Sequence, residues 1–169
     1  MKNIRLTLIS LVAAILCFSG GYAVAGALTD YGENHVIDSV IRGQALGAPA
    51  TPYIGLDTAT CSDSGIGTEP SGNAYARVAV SASLTAWSGT ISNSSTALST
   101  GTSGATYSLA PITYTASSGP WGTLQAVRWY DAATGGNSWI CINLTTPLNV
   151  SGSGFTVSFP AGALSFTLD

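Results

Sequence analysis

The sequence predicts an all-β protein: an antiparallel β-sandwich or jelly-roll-like domain preceded by one short N-terminal amphipathic helix. Beyond residue 52, apolar residues no longer recur at helical spacing but fall in short runs rich in Val, Ile, Thr and aromatic residues. Clusters of Gly, Pro, Asn and Ser separate these runs without intervening helices, which favours antiparallel sheets. Charged residues make up only 8% of the chain, and its apolar and aromatic residues are numerous enough to build a core.

The first 25 residues have the pattern of a secretory signal peptide. Lys2 and Arg5 precede the apolar stretch 6–18, and Ala23-Val24-Ala25 provides small residues for cleavage. The apolar stretch is shorter than the roughly 20 residues of a membrane-spanning helix, although a retained anchor is the alternative. Cleavage after Ala25 leaves 144 of the 169 residues, which suits one β-sandwich domain over 26–169. We therefore expect a secreted or cell-surface protein that meets the membrane only through this signal.

The remaining chain is acidic and contains two cysteines. Residues 26–169 hold three arginines and all eight acidic residues, a formal charge of −5. Nucleic acid is excluded as a partner, because binding it requires clustered cations on phosphates. An even cysteine count in an exported protein favours a disulfide between Cys61 and Cys141. Two separate thiols are the alternative.

The predicted helix covers about residues 28–42. Its apolar residues recur at three- and four-residue spacing: Leu28, Tyr31, Ile37, Val40 and Ile41. Thr29 or Asp30 is the expected N-cap, and Gly43 ends the helix. The helix either covers the sandwich of its own chain or docks on a neighbouring subunit, and the second possibility makes Leu28, Tyr31 and Ile37 candidate interface residues.

Strands are expected between about residues 53 and 168. The predicted segments are 53–58, 74–81, 89–95, 106–110, 112–116, 123–130, 138–144, 155–159 and 163–168. The clearest pairing is a hairpin of 126–130 with 138–143. Gly135 and Gly136 supply the positive φ angles that its turn needs.

Three aromatic residues, Trp139, Trp87 and Tyr107, are candidates for stacking on sugar rings or anchoring an interface. Trp139 is the best candidate for an exposed aromatic residue, because Ile140 and Ile142 form the apolar face of the same strand. A second layer covering Trp139 would instead make it a core residue.

The sequence predicts no catalytic residue, metal site or cofactor. The single histidine, His35, has no motif around it, and the cysteines lack the close spacing of zinc ligands. Glycoside hydrolysis would need two nearby carboxyl groups. The candidate acids are Asp57, Asp63, Glu69 and Asp131. The first three lie in or beside a turn-rich segment, where acidic residues are commonly solvated.

Five segments together resemble a family of small tailed-phage virion proteins usually described as tail fibre-like. These segments are 27–31 (ALTDY), 52–56 (PYIGL), 72–78 (GNAYARV), 121–137 and 159–168 (FPAGALSFTL). The resemblance implies a β-sandwich-like subunit that assembles with copies of itself or with other virion or fibre subunits, and it assigns no reaction.

The sequence therefore predicts an exported, non-enzymatic structural protein, a self-assembling or surface-fibre subunit that is extracellular or part of a virion. The alternative is a secreted carbohydrate-binding or adhesive module whose partners are cell-surface glycans. That module would use Trp139, Trp87 or Tyr107 as its stacking platform.

Overall fold

The computed structural model describes residues 27–89 and 104–168. In chain order its elements are β1 (Ala27–Leu28), α1 (Asp30–Val40), β2 (Tyr53–Asp57), β3 (Val78–Ala79), β4 (Gly104–Tyr107), β5 (Ile112–Thr113), β6 (Gly122–Tyr130), β7 (Ser138–Val150), β8 (Ser158–Phe159) and β9 (Ser165–Leu168). The fold is all-β and sandwich-like, with one short helix among the described residues, as the sequence predicts. Within those residues no helix has the length and apolarity needed to cross a bilayer.

A five-stranded antiparallel sheet forms the centre of the fold, in the order β1-β7-β6-β2-β3. Its longest pairing is the predicted hairpin, in which Val127 faces Ile142 and Tyr130 faces Ser138. Gly135 and Gly136 both have positive φ in the connecting turn. The hairpin prediction is confirmed; β1 pairs with β7, β2 pairs with β6, and β3 joins the sheet through β2.

One face of this sheet is covered by two small antiparallel sheets, β4-β9 and β5-β8. Ile54, Val127 and Ile142 are fully buried on that face and share a single apolar cluster with Phe159 of β8 and residues next to the short strands. Tyr114 lies between the layers, and its hydroxyl donates to the carbonyl of Ile54 at 3.0 Å. Side chains from both layers thus interdigitate to form the core of a sandwich.

The opposite face is covered by α1 and by loop 58–72. The helix lies close to β7: a methyl group added to Gly32 would lie 2.5 Å from the carbonyl oxygen of Trp139. β1 joins the helix to the sheet, because Ala27 and Leu28 pair with Cys141 and Ile140. Arg128 and Tyr130, which point to this face, are consequently buried too.

The observed strands differ in length from those predicted. The predicted segment 74–81 pairs only at Val78–Ala79, and β7 continues to Val150 rather than ending at 144. Residues 90–95 of the predicted strand 89–95 lie outside the described part of the chain, as do the signal residues 1–25.

Candidate functional site

Helix α1 is fixed to the central sheet by its N-cap. The Thr29 hydroxyl accepts from the backbone N–H of Gly32 at 3.3 Å and donates to the carbonyl oxygen of Ser138. The Thr29 N–H also donates to the carbonyl of Trp139 at 3.0 Å. The predicted capping residue therefore attaches the first turn of α1 to the start of β7.

Trp139 lies beneath this helix. Its ring centroid is 5.3 Å from that of Tyr31 and 4.8 Å from that of His35, and only 8% of the residue is exposed. The expectation of an exposed Trp139 is therefore wrong: α1, rather than a second sheet, covers it. Of the three interface candidates that were predicted to lie on the helix, Leu28 belongs to β1 and is half-buried, Tyr31 is half-buried on α1, and Ile37 is exposed on α1.

The outward side of α1 is apolar near its C-terminus. Tyr31 and His35 face the sheet one turn apart, so residues near position 37 point away from it. Ile37, Val40 and Ile41 are 53%, 73% and 77% exposed, and Leu46 in the following segment is also exposed. These four residues are called the α1 patch. Exposed apolar residues grouped in this way mark a contact surface more often than isolated ones do.

A charged pair borders the α1 patch. Arg42 donates to Asp38 at 2.7 Å, and both side chains are largely exposed. The other two arginines of the described residues, Arg77 and Arg128, have buried side chains, so Arg42 presents the accessible positive charge of this part of the chain. Sequence analysis did not single out Arg42. The sequence did contain a hint of its accessibility: it is one of only three arginines beyond residue 25, and it directly follows the apolar residues Val40 and Ile41.

Loop 58–72 is held to the sheet by a buried ion pair. Arg128 Nε lies 2.7 Å from Asp57 Oδ2, and the two side chains are 1% and 0% exposed. Asp57 Oδ1 accepts from the backbone N–H groups of Ala59 and Thr68 at 3.1 and 2.8 Å. The expectation that Asp57 is a solvated turn residue is wrong, because its carboxylate is saturated by partners inside the protein.

Glu69 belongs to a second such cluster at the edge of the sheet. Its carboxylate accepts from Arg77 at 2.6 Å and from the Tyr75 hydroxyl at 2.7 Å. The Arg77 guanidinium lies over the ring of Tyr130, 3.3 Å from its centroid. Glu69 is thus also not a solvated turn residue. In both clusters the acid that sequence analysis considered for catalysis is engaged in holding the loop.

Burial raises the pKa of three tyrosines around these clusters. Desolvation is the largest cause for Tyr75, Tyr114 and Tyr130, and the nearby Glu69 carboxylate adds to it, directly through a hydrogen bond for Tyr75. Each phenol therefore stays protonated in the folded protein at a pH where it ionises in the unfolded chain.

We expect the free energy of unfolding to fall as pH rises above about 10, where unfolded tyrosine ionises. Above that pH the unfolded chain binds fewer protons than the native protein, so stability declines by about 1.4 kcal/mol per pH unit for each of the three tyrosines. Urea denaturation between pH 8 and 11.5 measures the slope. Tyr114→Phe, which cannot titrate at this position, should reduce it by about one third. An unchanged slope in that variant would contradict the assignment.

The predicted disulfide is present in the structure. Cys61 and Cys141 are bonded, with their Cα atoms 5.6 Å apart. The backbone N–H of Cys61 donates to Asn143 Oδ1 at 2.7 Å, next to the bridge on β7. The covalent bond and the ion pair of Arg128 therefore hold the same loop to the same face of the sheet.

The other aromatic candidates lie at the edge of the core. Trp87 packs on Trp129 with ring centroids 5.8 Å apart. Tyr107 is half-buried in β4, where its N–H donates to Ser88 Oγ at 2.9 Å. The structure does not bring Trp87 and Trp139 together, since Trp87 contacts the small-sheet face and Trp139 contacts α1.

A groove of about 190 Å³ lies at the N-terminus of α1. Its walls are Thr29, Asp30, Tyr31, Asp63, Gly65, Ile66, Asn137 and Ser138. This volume is below the roughly 300 Å³ of the smallest typical small-molecule sites. Among the residues that the structure describes, no group of His, Cys, Asp or Glu side chains could hold a metal ion.

Comparison with known proteins identifies one family. The family model described as podophage GP4 fiber I protein gp80 matches residues 27–167. This match covers both described ranges almost completely, including α1, the central sheet and both small sheets. No curated protein matches the chain.

Proposed function

The chain belongs to the podophage GP4 fiber I protein gp80 family, and from this premise we propose that it is an exported, non-enzymatic fibre subunit that associates with other virion subunits or with copies of itself. Membership supports a structural, tail fibre-like role. The observation that carries the proposal is the extent of the match, which runs from β1 into β9.

The chemistry of the described residues supports a structural role. The carboxylates of Asp57 and Glu69, which could have served as an acid and base, are occupied by Arg128 and Arg77. Their hydrogen bonds fix loop 58–72, and the groove beside α1 is too small for a typical ligand. Burial of Trp139 and packing of Trp87 on Trp129 remove two of the three residues of a sugar-stacking platform. A carbohydrate-binding module is therefore not part of this proposal.

Export is supported by two independent features. Residues 1–25 have the order of a signal peptide. The disulfide between Cys61 and Cys141 is the kind of bond that forms and persists in an oxidising compartment.

The test uses particles released from the source culture and purified on a density gradient. Immunogold labelling with antibodies raised against the full chain should mark the tail or its fibres. Antibodies first absorbed with the same chain are the control. N-terminal sequencing of the particle-bound protein should begin at Gly26. Protein absent from the particles would refute the virion role, and particle-bound protein that begins at Met1 would refute cleavage while leaving the virion role intact.

A further inference from the structure

We propose that two copies of this chain pair through the outer edge of β3, so that their central sheets join antiparallel about a two-fold axis at Val80. The backbone of residues 78–82 forms this edge and is called the β3 edge. The inference rests on the proposed fibre role, and it specifies the surface through which copies of the chain associate. A two-fold contact of this kind uses the same residues on both copies.

The β3 edge presents backbone groups that have no partner in the described chain. β3 is the outermost strand of the central sheet and pairs on one side with β2. This pairing continues beyond β3, because the N–H groups of Val80 and Ala82 donate to carbonyls in segment 50–52 at 3.0 and 2.9 Å. Successive residues of a strand direct their backbone groups to opposite sides, so those of Ala79 and Ser81 point away from β2. Both residues are exposed, and within 27–89 and 104–168 no residue bonds to these outward groups.

The other edge of the central sheet is protected against the addition of a strand. β1 pairs with the start of β7 at Ile140 and Cys141. Further along, β7 contains Pro147 within its register shift. Proline, charged residues and irregular pairing are the usual devices that prevent a further strand from joining an edge. Residues 78–82 contain neither a proline nor a charge, so the β3 edge favours a partner that adds a strand.

The distribution of charge allows a second copy to approach this edge. Residues 26–169 carry a formal charge of −5, so two copies repel each other in most orientations. The acidic residues of the described chain, apart from Asp131, lie in α1, at the end of β2 or in loop 58–72. By contrast, residues 78–127 contain no charged residue. Pairing through the β3 edge therefore joins uncharged parts of the two acidic chains.

The β3 edge is complementary to itself. An axis at Val80 places Ala79 of each copy opposite Ser81 of the other, and the two pairs exchange about four backbone hydrogen bonds. Val78 and Val80 pack against the core cluster but remain only half-buried in the single chain. In the paired sheets Val80 of one copy lies beside Val80 of the other on this core side. The apolar core of one copy thus continues into that of the second.

Cysteine substitutions in the full chain test the axis and the register. Val80→Cys should form an intermolecular disulfide on mild oxidation, because the Cα atoms of such directly opposed residues are about 4.5 Å apart. Ala82→Cys alone should not crosslink, since its two copies would lie about 14 Å apart along the strands. Val78→Cys combined with Ala82→Cys should crosslink again, because each position faces the other across the axis. Electrophoresis without reductant separates the crosslinked dimer from the monomer.

Sedimentation velocity of the full chain measures the dimer dissociation constant. Ser81→Pro removes an outward N–H at the contact, and Ala79→Lys places a charge on the edge, so each should weaken dimerisation at least about tenfold. Asn149→Lys is the matched control, because Asn149 is an exposed residue of β7 on the far side of the sheet. It adds the same charge and should leave the dissociation constant within about threefold of the wild type. Near-ultraviolet circular dichroism confirms that each variant is folded.

Three results would overturn the inference: a wild-type chain that stays monomeric up to about 1 mM, a Val80→Cys chain that does not crosslink, or equal effects of Ala79→Lys and Asn149→Lys. A monomeric chain that still labels virions would remove the edge pairing and leave the proposed function intact. A dimer with the expected crosslinks that is absent from virions would retain the pairing and refute the virion role.

Discussion

Replacing Arg128 by methionine is expected to lower the free energy of unfolding by about 3–5 kcal/mol, because it leaves the Asp57 carboxylate buried without its cation. Asp57 is fully buried, and its Oδ2 atom lies 2.7 Å from Arg128 Nε. The guanidinium also donates to Ser138 Oγ and to the carbonyl of Ser62, both at 3.3 Å. Urea denaturation followed by tryptophan fluorescence measures the loss, which is large against the roughly 5–15 kcal/mol of a typical domain.

Arg42→Met provides the matched control. It breaks an arginine–aspartate pair with the same 2.7 Å separation, but the two side chains are 67% and 41% exposed. We expect a loss of at most about 1 kcal/mol at protein concentrations where the chain is monomeric. Equal losses in Arg128→Met and Arg42→Met would contradict the view that burial makes the first pair critical.

Combining Arg128→Met with Asp57→Asn should cost less than the sum of the two single changes. The asparagine can still accept from the N–H groups of Ala59 and Thr68, and the double variant no longer buries an unpaired charge. Additive losses would mean that the two side chains stabilise the loop independently.

Local sequence signals predicted the helix and the hairpin well. Thr29 caps α1 as expected, and the helix ends within two residues of the predicted boundary. The pairing of 126–130 with 138–143 follows from two apolar alternations joined by a glycine-containing turn. In each case the residues whose contacts determine the element are within about 20 positions of one another in the sequence. Apolar periodicity and turn residues are therefore enough to predict the element.

The covering of Trp139 could not be predicted, because it depends on a contact between distant parts of the chain. The alternation of side chains along a strand correctly predicted that Trp139 and Cys141 lie on the face of β7 opposite to Ile140 and Ile142. Which layer would cover the first pair depends on where α1 docks, and that is fixed by the bonds of Thr29 to Ser138 and Trp139 more than 100 residues away. The pairing of Asp57 with Arg128 was hidden for the same reason, because 71 residues separate the two.

Two of the differences between predicted and observed strand boundaries have identifiable local reasons. Gly72, Asn73 and Ala74 all have positive φ, and Tyr75 N–H donates to the carbonyl of Gly72, so a left-handed turn occupies the start of the predicted strand 74–81. β7 runs past the predicted end at 144 and includes Pro147. This proline is tolerated because it lies within a register shift, where β7 residues between 143 and 148 have no direct partner in β6.

Removing the disulfide by Cys61→Ala and Cys141→Ala together should lower the free energy of unfolding by about 4 kcal/mol. The bridge joins positions separated by 80 residues, and closing so long a loop restricts the unfolded chain strongly in the chain-entropy account. Urea denaturation of the oxidised wild type and the double variant measures the difference. Addition of a reductant should bring the wild type to the stability of the variant and leave the variant itself unchanged.

The bridge and the ion pair should also be coupled, because both hold loop 58–72. Cys61 is bonded to β7 at Cys141, and the carbonyl of the next residue, Ser62, accepts from Arg128 of β6 at 3.3 Å. With the bridge absent, the loop can leave the sheet and let water reach Asp57, so Arg128→Met should then cost less than its roughly 3–5 kcal/mol in the oxidised protein. Equal costs in the two backgrounds would show that the loop stays docked without the bridge. A smaller loss of stability would identify the disulfide as the bond that excludes water from the pair of Asp57 and Arg128. Correct folding of the loop would then depend on an oxidising compartment.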